Sequence, residues 1–381
     1  MKWRGWCAVQ SGATAMVAIA AMLLSPVTPA SAALPGCPET READLRAKGT
    51  VAQDFGWWFN WVAAPELWHL ATGKGVKVAV VDTGVNEHRQ LAPALGGGAD
   101  LVKGLSGGRL DCIGHGTAVA SIIAARPGGR GLVGIAPEAE IIPIRVAEDG
   151  GGFVVDERQA PGARVAAGIR SAADAGARII NVSLALKADF GDVRSAVEYA
   201  QGKGAIVVAA VGGEGAIYPA AYPSVIGVGA FDRLGQRAPA IESYVDVYAP
   251  GYGGMTVAAR DTDHFVDWQG GADAATAVVS GTAALIVAAE PALTNTQVIT
   301  RLLRTAQGRT LDPYRAVTEL LPNESAVASR SPGPPLTAPV VPTSSLPQRA
   351  LGIAGLLGLL VIGIVVIARL WRSRRQESQR T

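Results

Sequence analysis

Six short, largely apolar runs constrain this chain more than any other feature: Val76 to Val81, Ile141 to Val146, Ile179 to Leu184, Ala205 to Ala210, Val225 to Ala230 and Val245 to Ala249. Stretches of helical spacing lie among and after them, at Thr117 to Ala125, Val165 to Ala175, Val193 to Lys203 and Thr276 to Ala289. Apolar runs this short, without polar alternation, are strands buried on both faces. Strands that alternate with helices build a mostly parallel sheet covered on both sides, so the predicted fold class is α/β. Chemistry in such sheets sits outside the carboxyl ends of the strands. Asp82 stands at that kind of end, in Val80-Val81-Asp82-Thr83-Gly84. No internal repeat is visible. The glycine-rich stretches Gly104 to Gly108 and Gly150 to Gly152 lack dinucleotide or phosphate-loop spacing and read as surface loops, so no cofactor is expected.

The two ends read as addresses. Of 381 residues only 17% are charged, against roughly 25% in an average soluble domain, which points to membrane-directed segments. Residues 1–32 combine Lys2 and Arg4, an apolar stretch from Ala13 to Leu24 and the small residues Ala30-Ser31-Ala32, the pattern of a secretory signal peptide. Ala350 to Ala368 gives 19 uncharged residues, enough at about 1.5 Å per residue to cross a hydrocarbon core of about 30 Å. Arg369, Arg372, Arg374 and Arg375 follow, which places the tail 369–381 in the cytoplasm by the positive-inside rule. Residues 329–349 are rich in Ser, Thr and Pro and form an extended spacer. A short extension, 33–56, and one body, 57–328, are thus expected outside the cell on a single-pass anchor. The net charge of +2 is too small for a nucleic-acid partner.

Of three cysteines, Cys7 leaves with the signal. An isolated pair in an oxidising compartment, here Cys37 and Cys112, most simply forms one disulfide. A lipoprotein site at Cys37 is the rival reading, and it stands far from the apolar stretch. Four scattered His and two Cys offer no metal-ligand spacing.

Three segments carry the functional reading: the Asp82 motif, Gly114-His115-Gly116-Thr117 opening an apolar helix, and GADAATAVVSG from Gly271 to Gly281. Asp82 could orient an imidazole and stabilise its charged form, and His115 stands where its ring can face a cleft. His69, His88 and His264 lack such context and read as surface or packing residues. With Ile135-Ala136-Pro137, Asn181-Val182-Ser183-Leu184 and Tyr222 to Ala230 in order, the body resembles the subtilisin-like serine proteases. The signal, the extension with one Cys, the second Cys three residues before His115, the linker and the anchor resemble in particular the mycosins, membrane-anchored subtilases of type VII secretion. The resemblance implies a subtilisin-like three-layer fold, a peptide or protein substrate in a cleft at Ser183, Leu184 and Ala185, and a secretion membrane complex as partner.

The chain departs from that family at its chemistry. Anchored on Gly271 and on Val279-Ser280-Gly281, the nucleophile position holds Asp273. The oxyanion position, normally Asn, falls on Gly213, and the cleft-wall glycine is replaced by Ala185. A carboxylate is a poor nucleophile toward an amide and has no proton for a base to remove. At a helix N-terminus it caps amides and complements the dipole. The expectation is a pseudoprotease in which His115 lies between Asp82 and Asp273 and stays protonated. The rivals are a working peptidase whose nucleophile has moved to Thr276 or Ser280, and a peptide-binding module.

Overall fold

The computed structural model describes residues 37, 56–128, 132–148, 162–212, 215, 217–258 and 265–322. The expected signal peptide, linker, membrane span and tail lie outside the described residues, as do Gly213, His264 and the stretch Gly150 to Gly152. The chain divides into two compact units, Met1–Thr40 and Arg41–Thr381. Of the first, only Cys37 is among the described residues.

In chain order the elements are α1 (Gly56–Val62), α2 (Ala64–Trp68), β1 (Lys77–Asp82), β2 (Ala99–Asp100), β3 (Leu105–Ser106), α3 (His115–Ala124), β4 (Glu140–Arg145), α4 (Gly162–Asp174), β5 (Ile179–Val182), α5 (Gly191–Gly202), β6 (Ile206–Ala210), β7 (Ile226–Phe231), β8 (Val247–Pro250), β9 (Tyr252–Ala258), β10 (Phe265–Gly270), α6 (Ala272–Ala289), α7 (Asn295–Thr305) and α8 (Pro313–Thr318). Eight strands make one sheet in the order β3-β2-β4-β1-β5-β6-β7-β8. Every pairing in it is parallel except β2 with β3. All six apolar runs of the sequence lie in it. Strand residues on alternate sides feed two cores, as buried parallel strands do. Val78 and Val80 join α3, α6 and the aromatic residues Trp58, Phe59 and Trp68 on one face. Ala79 and Val81 join α4 and α5 on the other.

Four details differ from the sequence reading. The glycine-rich stretch Gly104 to Gly108 contains the exposed edge strand β3. α3 begins at His115 and α6 at Ala272, two and four residues earlier than their apolar spacing suggests. α4 and α5 also begin earlier, at Gly162 and Gly191. An unforeseen hairpin, β9 with β10, runs into the N-terminus of α6. α6 is as long and apolar as a membrane span but is buried almost throughout, which makes it the central helix of the core.

Candidate active site

The carboxyl ends of three adjacent parallel strands carry charge in one register: Asp100 pairs with Arg145, and Arg145 with Asp82. Register partners share a face, here the α3 side, because Val78 and Val80 of the same alternation lie in that core. Arg145 donates from Nη1 to Asp100 Oδ2 at 2.9 Å, a fully buried ion pair. Asp82 is wholly buried. Its Oδ1 accepts from the Thr83 amide at 2.7 Å and lies 2.7 Å from His115 Nδ1. Its Oδ2 has no hydrogen-bond partner among the described residues.

His115 is the first residue of α3, and no side chain of its own turn caps that helix. Asp111 supplies the cap from the preceding loop. Its Oδ1 accepts from the Gly114 amide at 2.8 Å, and its Oδ2 from the Thr117 amide at 2.8 Å and hydroxyl at 2.7 Å. Asn86 clasps the Asp111 backbone from both sides, at 2.8 and 2.7 Å. Burial pushes the Asp111 carboxyl above its usual range, against these hydrogen bonds. Gly116 lets α3 lie against β1: a Cβ there would meet the Gly84 carbonyl oxygen at 2.1 Å. The His115 ring is thereby fixed over the end of β1.

α6 brings the third group. Asp273, in its first turn, accepts from the Ala274 amide at 2.9 Å, where a negative charge suits the helix dipole. Its Oδ2 is 2.8 Å from His115 Nε2. The imidazole thus bridges two buried carboxylates, with side-chain exposures of 7% for His115, 0% for Asp82 and 6% for Asp273. Burial opposes charge on the ring, but the field of Asp82 and the hydrogen bonds to Asp273 and Asp82 outweigh it. The His115 pKa is raised well above 6.5. A charged ring donates from both nitrogens, which matches two acceptors. Trp268 on β10 packs against the imidazole in a T-shaped contact, with ring centroids 5.3 Å apart.

The remaining expected residues surround this cluster. Ser183, Leu184 and Ala185 are all buried. Ser183 donates to the Asp273 carbonyl at 3.1 Å and accepts from Asn181 at 2.8 Å. The Ser280 hydroxyl donates to Asn181 Oδ1 at 2.9 Å, and that of Thr276 to the Ala272 carbonyl within its own helix at 2.6 Å. His69 is exposed, and His88 is buried edge-on to Phe265 at 5.0 Å. Cys37 and Cys112 are each disulfide-bonded. Among the described residues no cluster of His, Cys, Asp and Glu has the geometry of a metal site. Sequence reasoning missed Asp111 and Trp268 and named Thr117 only as part of its motif. An Asp three residues before Gly-His-Gly-Thr was the available signal for the Asp111–Thr117 contact.

Comparison with known proteins gives the family. The model of the subtilase family matches residues 73–331. M-protease of Shouchella clausii is 35% identical over 272 residues, 68% of this chain and 66% of that protein, so the chain spans just under two thirds of that relative's length. The crystal structure of MycP1 with its N-terminal propeptide removed superposes with a TM-score of 0.63 at 29% identity, covering 71% of this chain and 99% of that one. MycP3 protease from the type VII (ESX-3) secretion system gives a TM-score of 0.60 at 31% identity over 72% of this chain and 91% of its own. By fold, motif order and family match, this chain belongs to the subtilase family and resembles the mycosins within it.

Proposed function

We propose that this protein is a membrane-anchored, extracytoplasmic subtilase that has lost peptidase chemistry and serves a type VII secretion machine as a binding or structural component. The resemblance to MycP1 and MycP3 supports the secretion setting, and the sequence of the two ends supports the anchor. One observation carries the inactive reading: both nitrogens of His115 lie within hydrogen-bond distance of a carboxylate, at 2.7 Å from Asp82 and 2.8 Å from Asp273. A serine peptidase needs a neutral imidazole whose Nε2 accepts the hydroxyl proton of the nucleophile. Here that nitrogen faces an anion, and the charged ring has no lone pair to offer. Removing the nucleophile of a subtilisin lowers turnover about 10⁶-fold, and an oxyanion site without its Asn costs about another 10² to 10³.

The relocated-nucleophile reading gains no support from the hydroxyls, since Thr276 and Ser280 are both buried and bonded elsewhere. The test is to treat the purified full chain with a fluorophosphonate probe beside an active subtilisin. No covalent adduct is expected. An adduct mapped to any Ser or Thr of this chain would overturn the proposal. Anchoring is checked separately, by retention in the membrane after a carbonate wash.

A further inference from the structure

An exposed apolar cluster beyond β7 is used by neither the cleft nor the core. β7 ends at the buried Phe231, and the chain then turns tightly. Asp232 Oδ1 accepts from the amides of Leu234 at 2.8 Å and Gln236 at 2.9 Å, Gly235 takes a φ of 77°, and Phe231 bridges back to Arg237. This firmly held turn lifts Leu234 to 72% exposure, the highest of any large apolar side chain among the described residues. Trp61, 36% exposed, packs edge-on against Phe231 at 5.1 Å. Tyr252, 45% exposed, follows Gly251, whose amide donates to the Phe231 carbonyl at 3.1 Å. Arg233 stands exposed beside Leu234.

An exposed Leu in a tight turn, with exposed Trp and Tyr both tied to the Phe231 that precedes it and an exposed Arg next to the Leu, suits a lipid surface better than a protein pocket. Trp and Tyr rings settle at headgroup depth, an apolar tip enters the acyl boundary, and Arg meets anionic headgroups. The course of the chain favours the same occupant. Arg237 donates to the Gly308 carbonyl at 2.7 Å, and Tyr248 of β8 is hydrogen-bonded to Arg309 and Leu311. The turn therefore packs against the segment that leads into the C-terminal chain. That chain passes through 329–349 to the 19 uncharged residues at 350–368. If 329–349 is the extended spacer that its proline content suggests, it spans about 65 Å at about 3.1 Å per residue and keeps a bilayer within range.

We propose that the turn 232–237, with Trp61 and Tyr252, docks the body onto the anionic surface of the membrane that holds its anchor. The inference rests on the membrane-anchored reading above. So small a contact is weak alone, and the tether supplies the effective concentration that makes it sufficient. Docking fixes which way the cleft faces relative to the bilayer.

The test uses the full chain in vesicles of phosphatidylcholine and phosphatidylglycerol, with Leu234→Cys carrying a nitrobenzoxadiazole label. Glu198→Cys, on the solvent side of α5, is the control. The Leu234 label is expected to shift to the blue and escape iodide quenching, while the Glu198 label stays quenched. Arg233→Gln should lower the docking equilibrium about fivefold in these vesicles and leave it unchanged in pure phosphatidylcholine. If carbonate leaves the chain in the vesicles but both labels quench equally, docking is wrong and the anchor stands. If carbonate extracts the chain, both ideas fail. Shielding that persists in detergent would assign the patch to a protein contact and overturn the lipid proposal.

Discussion

Replacing His115 with Ala separates the ion-pair cluster from a working triad most sharply in terms of stability. In a functioning active site, strained and charged catalytic groups are held at a cost, so their removal is neutral or stabilising. Here His115 lies 2.7 Å from Asp82 and 2.8 Å from Asp273, with all three side chains at 7% exposure or less. Unit charges 4 Å apart attract by about 4 kcal/mol at an effective dielectric of about 20. Stripping one partner from a buried pair costs about 3 to 5 kcal/mol, because the other charge is left unpaired. Two carboxylates lose their partner at once, so His115→Ala should fall at the upper end, about 5 kcal/mol near pH 7. Urea unfolding of the full chain and the variant at pH 7 measures the deficit. A variant within about 0.5 kcal/mol of the parent at pH 7, the range of an ordinary surface substitution, would refute the reasoning.

Three further outcomes follow from the same geometry. The parent should lose stability on the alkaline side: a folded His115 pKa raised above 6.5 contributes stability that is fully present below the unfolded value and is lost as pH rises through the folded one, which denaturation from pH 6 upward will reveal. Gly116→Ala should destabilise by about 3 kcal/mol or more, because its Cβ would meet the Gly84 carbonyl oxygen at 2.1 Å and overpacking against backbone finds little relief; a melting temperature near the parent's would contradict it. Asp273→Ser with Gly213→Asn should regain weak fluorophosphonate labelling if those two groups are what the cleft lacks, and an unlabelled but folded double variant would count against placing the nucleophile position at Asp273.

Strands were the most legible part of the fold. Val76 to Val81 and its five counterparts read as short buried strands because they are brief, apolar and alternate with helical stretches, and all six lie in the sheet within a residue or two, the last of them at its edge. Helix starts were harder. α3 is capped by Asp111, four residues before its first residue, so no local N-cap marks His115. The capping box at Thr294 and Gln297 does mark the start of α7, a helix the apolar spacing alone did not bring out. β9 carries Gly253 and Gly254 within its first three residues, which hides a strand in any propensity reading. Its partner β10 brings Trp268 to His115, a contact that only the tertiary fold creates.

At the site, the sequence already set His115 between Asp82 and Asp273, and the structure puts a carboxylate on each ring nitrogen. The three residues follow from motif order, whereas the distances depend on where the first turn of α6 places one carboxylate. Arg145 illustrates the limit. Nothing in Ile144-Arg145-Val146 signals that this guanidinium is buried against Asp100 and in register with Asp82.

The protonation state of His115 tests the account most directly. Nitrogen-15 NMR of the full chain with labelled histidine should show both ring nitrogens of His115 protonated at pH 7.5, with titration only well above 6.5 and a downward shift of that midpoint in Asp273→Asn. A neutral His115 at pH 7.5, with one bare nitrogen and a midpoint near 6.5, would mean that the cleft still holds a usable base, and the central claim would fall.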